Sequence, residues 1–225
     1  MKTNQEYKNA ALAALQGRWA PAVVAAVVFI VLSGGLSVIV ELTDHLVGTD
    51  PAALVRFMSM FTIASLLFSL LVVSPLGVGY YVAHNELLLK GDDRLTANSF
   101  RLGFKNYVHN VWGMLLMGIF VFLWMLLLVI PGIIKAFAYA LTPYILVDNP
   151  ELSANEAINL SKKMMKGHKF DLFWLSLSFI GWALLCVLTL GIGLFWLMPY
   201  IYTSYAAFYQ DVKAEYEAKT NSINN

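Results

Sequence analysis

The sequence predicts an all-α polytopic membrane protein: a six-helix transmembrane bundle with an N-terminal interfacial helix and a cytoplasmic amphipathic helix. Hydrophobic residues make up 59% of the 225 residues and charged residues only 13%, whereas soluble domains carry roughly 25% charged residues. Residues 172–210 contain no Asp, Glu, Lys or Arg. As one helix this run would extend about 58 Å, nearly twice the roughly 30 Å hydrocarbon core of a bilayer. We therefore expect it to fold back at Gly191 and Gly193.

The first predicted element is an interfacial amphipathic helix within residues 1–18. Thr3 and Glu6 have the spacing of a capping box at a helix start. Apolar residues then recur at helical spacing on one face, and polar residues occupy the opposite face. This pattern is typical of a helix that lies at a membrane surface.

Six spans are predicted within a membrane domain of residues 19–210. Apolar runs between polar segments mark them at about residues 19–41, 57–85, 110–130, 133–147, 172–190 and 194–210. Pro75 predicts a kink in the second span, because proline removes a helical hydrogen bond. Pro131 and Gly132 predict the turn between the third and fourth spans. Residues 211–225 form a polar cytoplasmic tail that we expect to fray.

The positive charges predict the orientation of these spans. Six spans place both termini on one side, and that side holds all of the 15 Lys and Arg residues except Arg56 and Lys135. Cytoplasmic loops of membrane proteins carry an excess of Lys and Arg. We therefore predict a multi-pass protein with both termini in the cytoplasm.

Polar side chains inside the apolar segments are the first candidate functional residues. Lys135 is the one charge well inside such a segment, and intramembrane ionisable residues are costly and mark functional sites by default. A structural pair between Lys135 and Glu41 is the alternative. Hydroxyl-bearing residues on the returning spans could line a polar site for a small solute, or only bridge helices and occupy the membrane interface. These residues are Tyr139, Thr142, Tyr200 and Thr203.

A basic helix after Ser153 is the second candidate. Ser153 and Glu156 form a capping box, and Lys162, Lys163 and Lys166 share the polar face of the helix. A basic amphipathic helix between two spans is expected to contact lipid headgroups, with anionic lipids of the cytoplasmic leaflet as partners. A helix packed on its own bundle with solvated lysines would give the same pattern.

Several motifs between residues 130 and 212 resemble one known family. They are Ile130-Pro131-Gly132-Ile133-Ile134-Lys135, Thr142-Pro143-Tyr144-Ile145-Leu146, Met165-Lys166-Gly167-His168, Ser178-Phe179-Ile180-Gly181-Trp182, Leu190-Gly191-Ile192-Gly193, Pro199-Tyr200 and Ala207-Phe208-Tyr209. Together with the opening segment, residues 2–19, they resemble the uncharacterised bacterial integral-membrane family catalogued as domain of unknown function 975. The turn, the returning span and the helix after it are similar, more loosely, to the membrane domain of bacterial glycerophosphodiester phosphodiesterases. The resemblance implies a bacterial cytoplasmic (inner) membrane protein and brings no established activity.

Catalytic signatures are missing from the sequence. It contains no nucleophile elbow, phosphate loop, paired metal-binding histidines or paired cysteines, and its net charge of +1 does not indicate a nucleic-acid partner. We expect no catalytic residue, metal or cofactor. The expected function is non-enzymatic, through lipid or protein contacts, in envelope homeostasis or protection. A small-solute transporter or channel component is the first alternative, and a membrane-embedded enzyme is the second.

Overall fold

The computed structural model describes the backbone of residues 1–43 and 51–224, and their side chains except those of residues 35–43, 51, 53–54, 57–58 and 223–224. Every regular element in these residues is helical, which confirms the all-α class. The elements are α1 (Asn4–Leu15), α2 (Trp19–Thr43), α3 (Pro51–Phe68), a π-helical turn (Ser69–Val73), α4 (Ser74–Lys90), α5 (Leu95–Lys105), α6 (Tyr107–Leu127), α7 (Val129–Tyr139), α8 (Thr142–Asp148), α9 (Ala154–Met164), α10 (Lys169–Leu177), α11 (Ile180–Leu188) and α12 (Leu194–Asn224).

Helix ends follow the local chemistry of the sequence. Both predicted capping boxes are confirmed: Thr3 and Glu6 cap α1, and Ser153 and Glu156 cap α9. Each box satisfies backbone N–H groups that have no partner within the helix. Gly91 ends α4 with φ +66°, a left-handed conformation that costs glycine little.

Four helical segments of the described residues are long and apolar enough to cross a bilayer: Ser59–Lys90, Tyr107–Leu127, Val129–Asp148 and Lys169–Leu188. They coincide with four of the predicted spans. A fifth arises if α1 and Trp19–Gly34, which meet at 102°, count as one broken span. The predicted span at 194–210 is not among these segments, because its tyrosines, proline, threonine and serine lower the hydropathy of α12.

A π-helical turn lies between α3 and α4, directly before Pro75, where the sequence predicts a kink. Pro75 has no N–H, so it cannot donate to the carbonyl of Leu71, one helical turn earlier. The hydroxyl of Tyr107 donates to that carbonyl instead, at 2.8 Å. The contact ties the start of α6 to the irregular turn.

The turn predicted at Pro131 and Gly132 is wrong by a few residues. The chain breaks at Leu128, which is extended with φ −159° and ψ 134°. Pro131 lies in the first turn of α7, where a missing N–H removes no helical hydrogen bond. Gly132 is buried, and a Cβ atom there would lie 2.4 Å from Cγ of Met125, so α6 and α7 pack closely at this point.

The expected fraying of residues 211–225 is also wrong, because α12 continues to Asn224. Tertiary contacts hold the first residues of the predicted tail. The carboxylate of Asp211 accepts the hydroxyl of Tyr7 at 2.6 Å and the backbone N–H of Lys2 at 2.8 Å. Val212 is buried. The start of the predicted tail is therefore packed, whereas residues 217–222 are helical but exposed.

The core lies around α12, which packs against α1, α2 and α4. Its largest fully buried side chains are aromatic: Tyr7, Tyr80, Tyr144, Phe208 and Tyr209. Large apolar side chains are exposed elsewhere, around the α6–α7 break and at the end of α11; Ile130 is 73% exposed and Leu190 is 94% exposed.

Candidate functional site

Lys135 contacts one aromatic side chain, that of Trp124 in α6. The ammonium of Lys135 lies 4.4 Å from the centre of the indole ring, and Tyr139 lies one helical turn further along α7, where it is buried. A cation over an aromatic face is stabilised by the ring's negative electrostatic potential. This contact fastens α7 to α6. The side chain of Glu41 lies outside the described residues, so its pairing with Lys135 stays a prediction.

The other predicted hydroxyl residues do not join Lys135 in one site. Thr203 donates to the carbonyl of Pro199 in its own helix at 2.7 Å. Tyr200 packs edge-to-face on Phe179, with ring centres 5.2 Å apart. Thr142 is completely buried, and its hydroxyl has no hydrogen-bond partner among the described residues. These contacts do not join the three residues to Lys135, and a polar site made by the whole set stays a prediction.

A polar and aromatic seam joins α8 to α12 instead. The rings of Tyr144 and Tyr209 stack with centres 4.5 Å apart and an angle of 9° between their planes. The hydroxyl of Tyr209 donates to the carboxylate of Asp148 at 2.7 Å, and the ammonium of Lys213 donates to the same oxygen at 2.6 Å. The Tyr209 hydroxyl and the Asp148 carboxylate thus have defined hydrogen-bond partners. The buried hydroxyl of Tyr144 has none among the described residues.

A cavity of about 280 Å³, half open to its surroundings, lies beside this seam, and we call it the central cavity. Its walls come from α4, α6, α7, α8, α10 and α12, and include Tyr81, Met114, Met117, Phe137, Tyr144 and Phe208. One polar pair also lines it: the hydroxyl of Tyr205 donates to Oγ of Ser176 at 3.0 Å. The cavity is mostly apolar, with this pair as a defined polar spot.

A basic pocket of about 310 Å³ lies between the end of α9 and the C-terminal half of α12. Lys163 and Lys166 line it, as predicted for headgroup contacts, and Lys219 and His168 join them. Lys162 does not line it. Because Glu215 is the one carboxylate among the described lining residues, three ammonium groups face a single negative charge.

Glu215 organises the far wall of this basic pocket. Its carboxylate is hydrogen-bonded to the ammonium of Lys219, and this bond holds the pKa of Glu215 below its usual range. The same oxygen lies 3.4 Å from Nε2 of His168. Glu215 is therefore ionised at neutral pH and positions the side chains of Lys219 and His168, while Lys163 and Lys166 approach from α9.

An apolar groove of about 480 Å³ opens where α1 meets α2. Trp19, Trp182 and Trp196 line it, together with Leu185 and Leu197. Its surface is almost free of polar atoms.

A family model described as "Protein of unknown function (DUF975)" matches residues 52–216. The chain belongs to the DUF975 family. No curated protein and no solved structure matches the chain. The matched region of this DUF975 protein contains every described residue that lines the central cavity. It also contains Lys163 and Lys166, whereas Lys219 lies beyond it.

The described part of this DUF975 chain holds no group of three or more His, Cys, Asp or Glu residues that could bind a metal ion. Two features were missed by the sequence reasoning: the pair of Ser176 and Tyr205, and the approach of Lys219 to α9. Each joins residues far apart in sequence, so helical periodicity carried no signal for it. The sequence shows Lys219, but the position of that lysine relative to α9 depends on the path of α12.

Proposed function

We propose that this DUF975 protein is a non-enzymatic integral membrane protein that binds anionic lipid at the cytoplasmic leaflet and acts in envelope homeostasis or protection. The observation that carries the proposal is the basic pocket lined by Lys163, Lys166 and Lys219. It lies directly before α10, the first helix of an apolar segment long enough to span a membrane.

Aromatic residues support the placement of the basic pocket at headgroup depth. Phe170 and Trp174 follow His168 within two turns of α10, and both are exposed. Exposed tryptophan and other aromatic side chains are enriched at membrane–water interfaces. If the phosphate group of a lipid binds in the pocket, the acyl chains of that lipid would lie beside Phe170 and Trp174, in the direction in which α10 becomes apolar.

Lysines near an anionic membrane surface contribute about 1 kcal/mol each. Replacing Lys163, Lys166 and Lys219 together by Gln should therefore strongly reduce binding of phosphatidylglycerol, measured by native mass spectrometry of the protein and by its retention of anionic lipid on purification. Lys162→Gln is the matched control, because Lys162 is a neighbour on α9 that does not line the basic pocket. Equal losses in the triple variant and a Lys162→Gln/Lys169→Gln variant would show nonspecific attraction and refute a defined site.

The proposed topology has six spans, both termini in the cytoplasm, and a location in the bacterial inner membrane. Exposed apolar side chains around Ile130 support insertion, since a surface of this kind is disfavoured in water. We expect Arg56→Cys, at an exposed polar position on the predicted outer side, to react with an impermeant maleimide from outside the cell. Lys105→Cys, Lys163→Cys and Lys219→Cys should react only after permeabilisation. Labelling of Lys163→Cys in intact cells would contradict this orientation. Gly132 is a poor labelling site because a Cβ atom there clashes with α6.

A further inference from the structure

The central cavity is a second site, separate from the basic pocket. Its described lining residues include no Asp, Glu, Lys, Arg or His. An ion placed there would lose its hydration without gaining a counter-charge, which is strongly unfavourable. The cavity therefore favours an uncharged occupant.

Both hydroxyl groups of the polar pair in the cavity, Tyr205 and Ser176, already donate to acceptors within the protein. The Tyr205 hydroxyl donates to Oγ of Ser176 at 3.0 Å, and the Ser176 hydroxyl donates to the carbonyl of Leu172 at 2.8 Å. Turning either hydroxyl toward the cavity would leave its present acceptor without that bond, at a cost typical of an unpaired buried group. What the pair offers to an occupant is oxygen lone pairs, so the matching ligand group is a hydrogen-bond donor.

The remaining walls specify the rest of the ligand. Met114, Met117, Phe137 and Phe208 all line the cavity, and thioether and aromatic groups both make favourable contacts with aromatic rings. The volume of about 280 Å³ lies at the low end of small-molecule sites, which span about 300–1,000 Å³. The occupant is therefore small.

We propose that the central cavity binds a small, uncharged aromatic alcohol of the phenol class, whose hydroxyl donates to the oxygens of Tyr205 and Ser176. The ring occupies the space between the methionine and phenylalanine side chains. This proposal is independent of the basic pocket, because neither Lys163 nor Lys166 lines the cavity.

Phenol and toluene test the proposal, because they share the ring and differ in the hydroxyl. Binding of each to the purified full-length protein is measured by saturation-transfer NMR titration. The ratio of the two affinities is then compared between variants, so that partitioning into detergent cancels. Wild type should prefer phenol. The double variant Tyr205→Phe/Ser176→Ala should lose about two- to tenfold in phenol affinity, the value of one net hydrogen bond, and bind toluene unchanged.

Two further variants keep the test decisive. Ser178→Ala is the matched control: its hydroxyl bonds within its own helix to the carbonyl of Leu175, and it should behave as wild type. Ala140→Leu places added bulk in the cavity lining and should weaken both probes. The proposal is overturned if wild type binds neither probe, if Ala140→Leu binds both as wild type does, or if the double variant retains the full preference for phenol.

Discussion

Gly79 of α4 and Gly103 of α5 allow these two helices to approach closely, and alanine at either position should separate them. A Cβ atom on Gly79 would lie 1.8 Å from the carbonyl oxygen of Ser99, and one on Gly103 would lie 2.2 Å from the carbonyl oxygen of Pro75. Ordinary contact begins at 3.4 Å, so α4 and α5 would have to move apart by about 1.6 Å at Gly79. The obstacles are backbone atoms, which cannot rotate away. Overpacking of this kind costs about 1–3 kcal/mol, and we expect the upper part of that range.

Gly118→Ala in α6 provides the matched control, because nothing lies within 4 Å of its added methyl group. Alanine is also the better helix former, by up to about 1 kcal/mol. Thermal unfolding in detergent, followed by tryptophan fluorescence, should give a lower transition temperature for Gly79→Ala and Gly103→Ala than for wild type. Gly118→Ala should match or exceed wild type. If Gly79→Ala unfolds at the same temperature as Gly118→Ala, the inferred close crossing of α4 and α5 is incorrect.

Three further contacts give independent predictions. Asp211→Asn should speed hydrogen exchange in α1, because the acceptor of the Tyr7 hydroxyl loses its charge and hydrogen bonds to charged groups contribute about 1.5–3 kcal/mol; unchanged exchange would contradict it. A double-mutant cycle of Lys135→Met with Trp124→Leu should give a coupling of about 0.5–2 kcal/mol, whereas zero coupling would dismiss the ring contact. The capping serine lowers the pKa of Glu156 from 4.5, so the stabilisation is present above pH 4.5 and is lost as the pH falls through the lowered value. Glu156→Gln should remove that pH dependence from acid unfolding curves.

Local chemistry explains what the sequence could predict. The capping boxes at Thr3 and Ser153 depend on residues three positions apart, and both form as expected. Four apolar runs coincide with segments long enough to span a membrane. The break after α6 was misplaced because Pro131 fits the first turn of a helix as well as it ends one. The extended residue is Leu128, and a leucine carries no turn preference that would have indicated it.

The candidate sites were predicted less well because each depends on distant parts of the chain. Lys163 and Lys166 were assigned to headgroup contacts from the polar face of α9, but Lys219 completes their pocket from α12. The polar set around Lys135 was grouped by its position in the apolar segments. Position alone does not show what each side chain contacts: the hydroxyl of Thr203, for example, donates within its own helix. Periodicity indicates which face of a helix is polar, and the packing of helices decides what that face meets.

The low hydropathy of α12 follows from its position in the fold. Thr203 and Ser204 are completely buried, and each donates to a carbonyl one turn earlier in the helix. Tyr205 bonds to α10, and Tyr209 bonds to α8. A helix that meets other helices along most of its length has no need of a lipid-compatible surface, because its polar groups find partners inside the protein. Hydropathy measures how well a helix surface suits contact with lipid. A low hydropathy is therefore weak evidence against a span when the helix, like α12, is surrounded by other helices. The predicted span at 194–210 therefore has to be tested by the labelling of its ends, with residues 190 and 213 as the positions to compare.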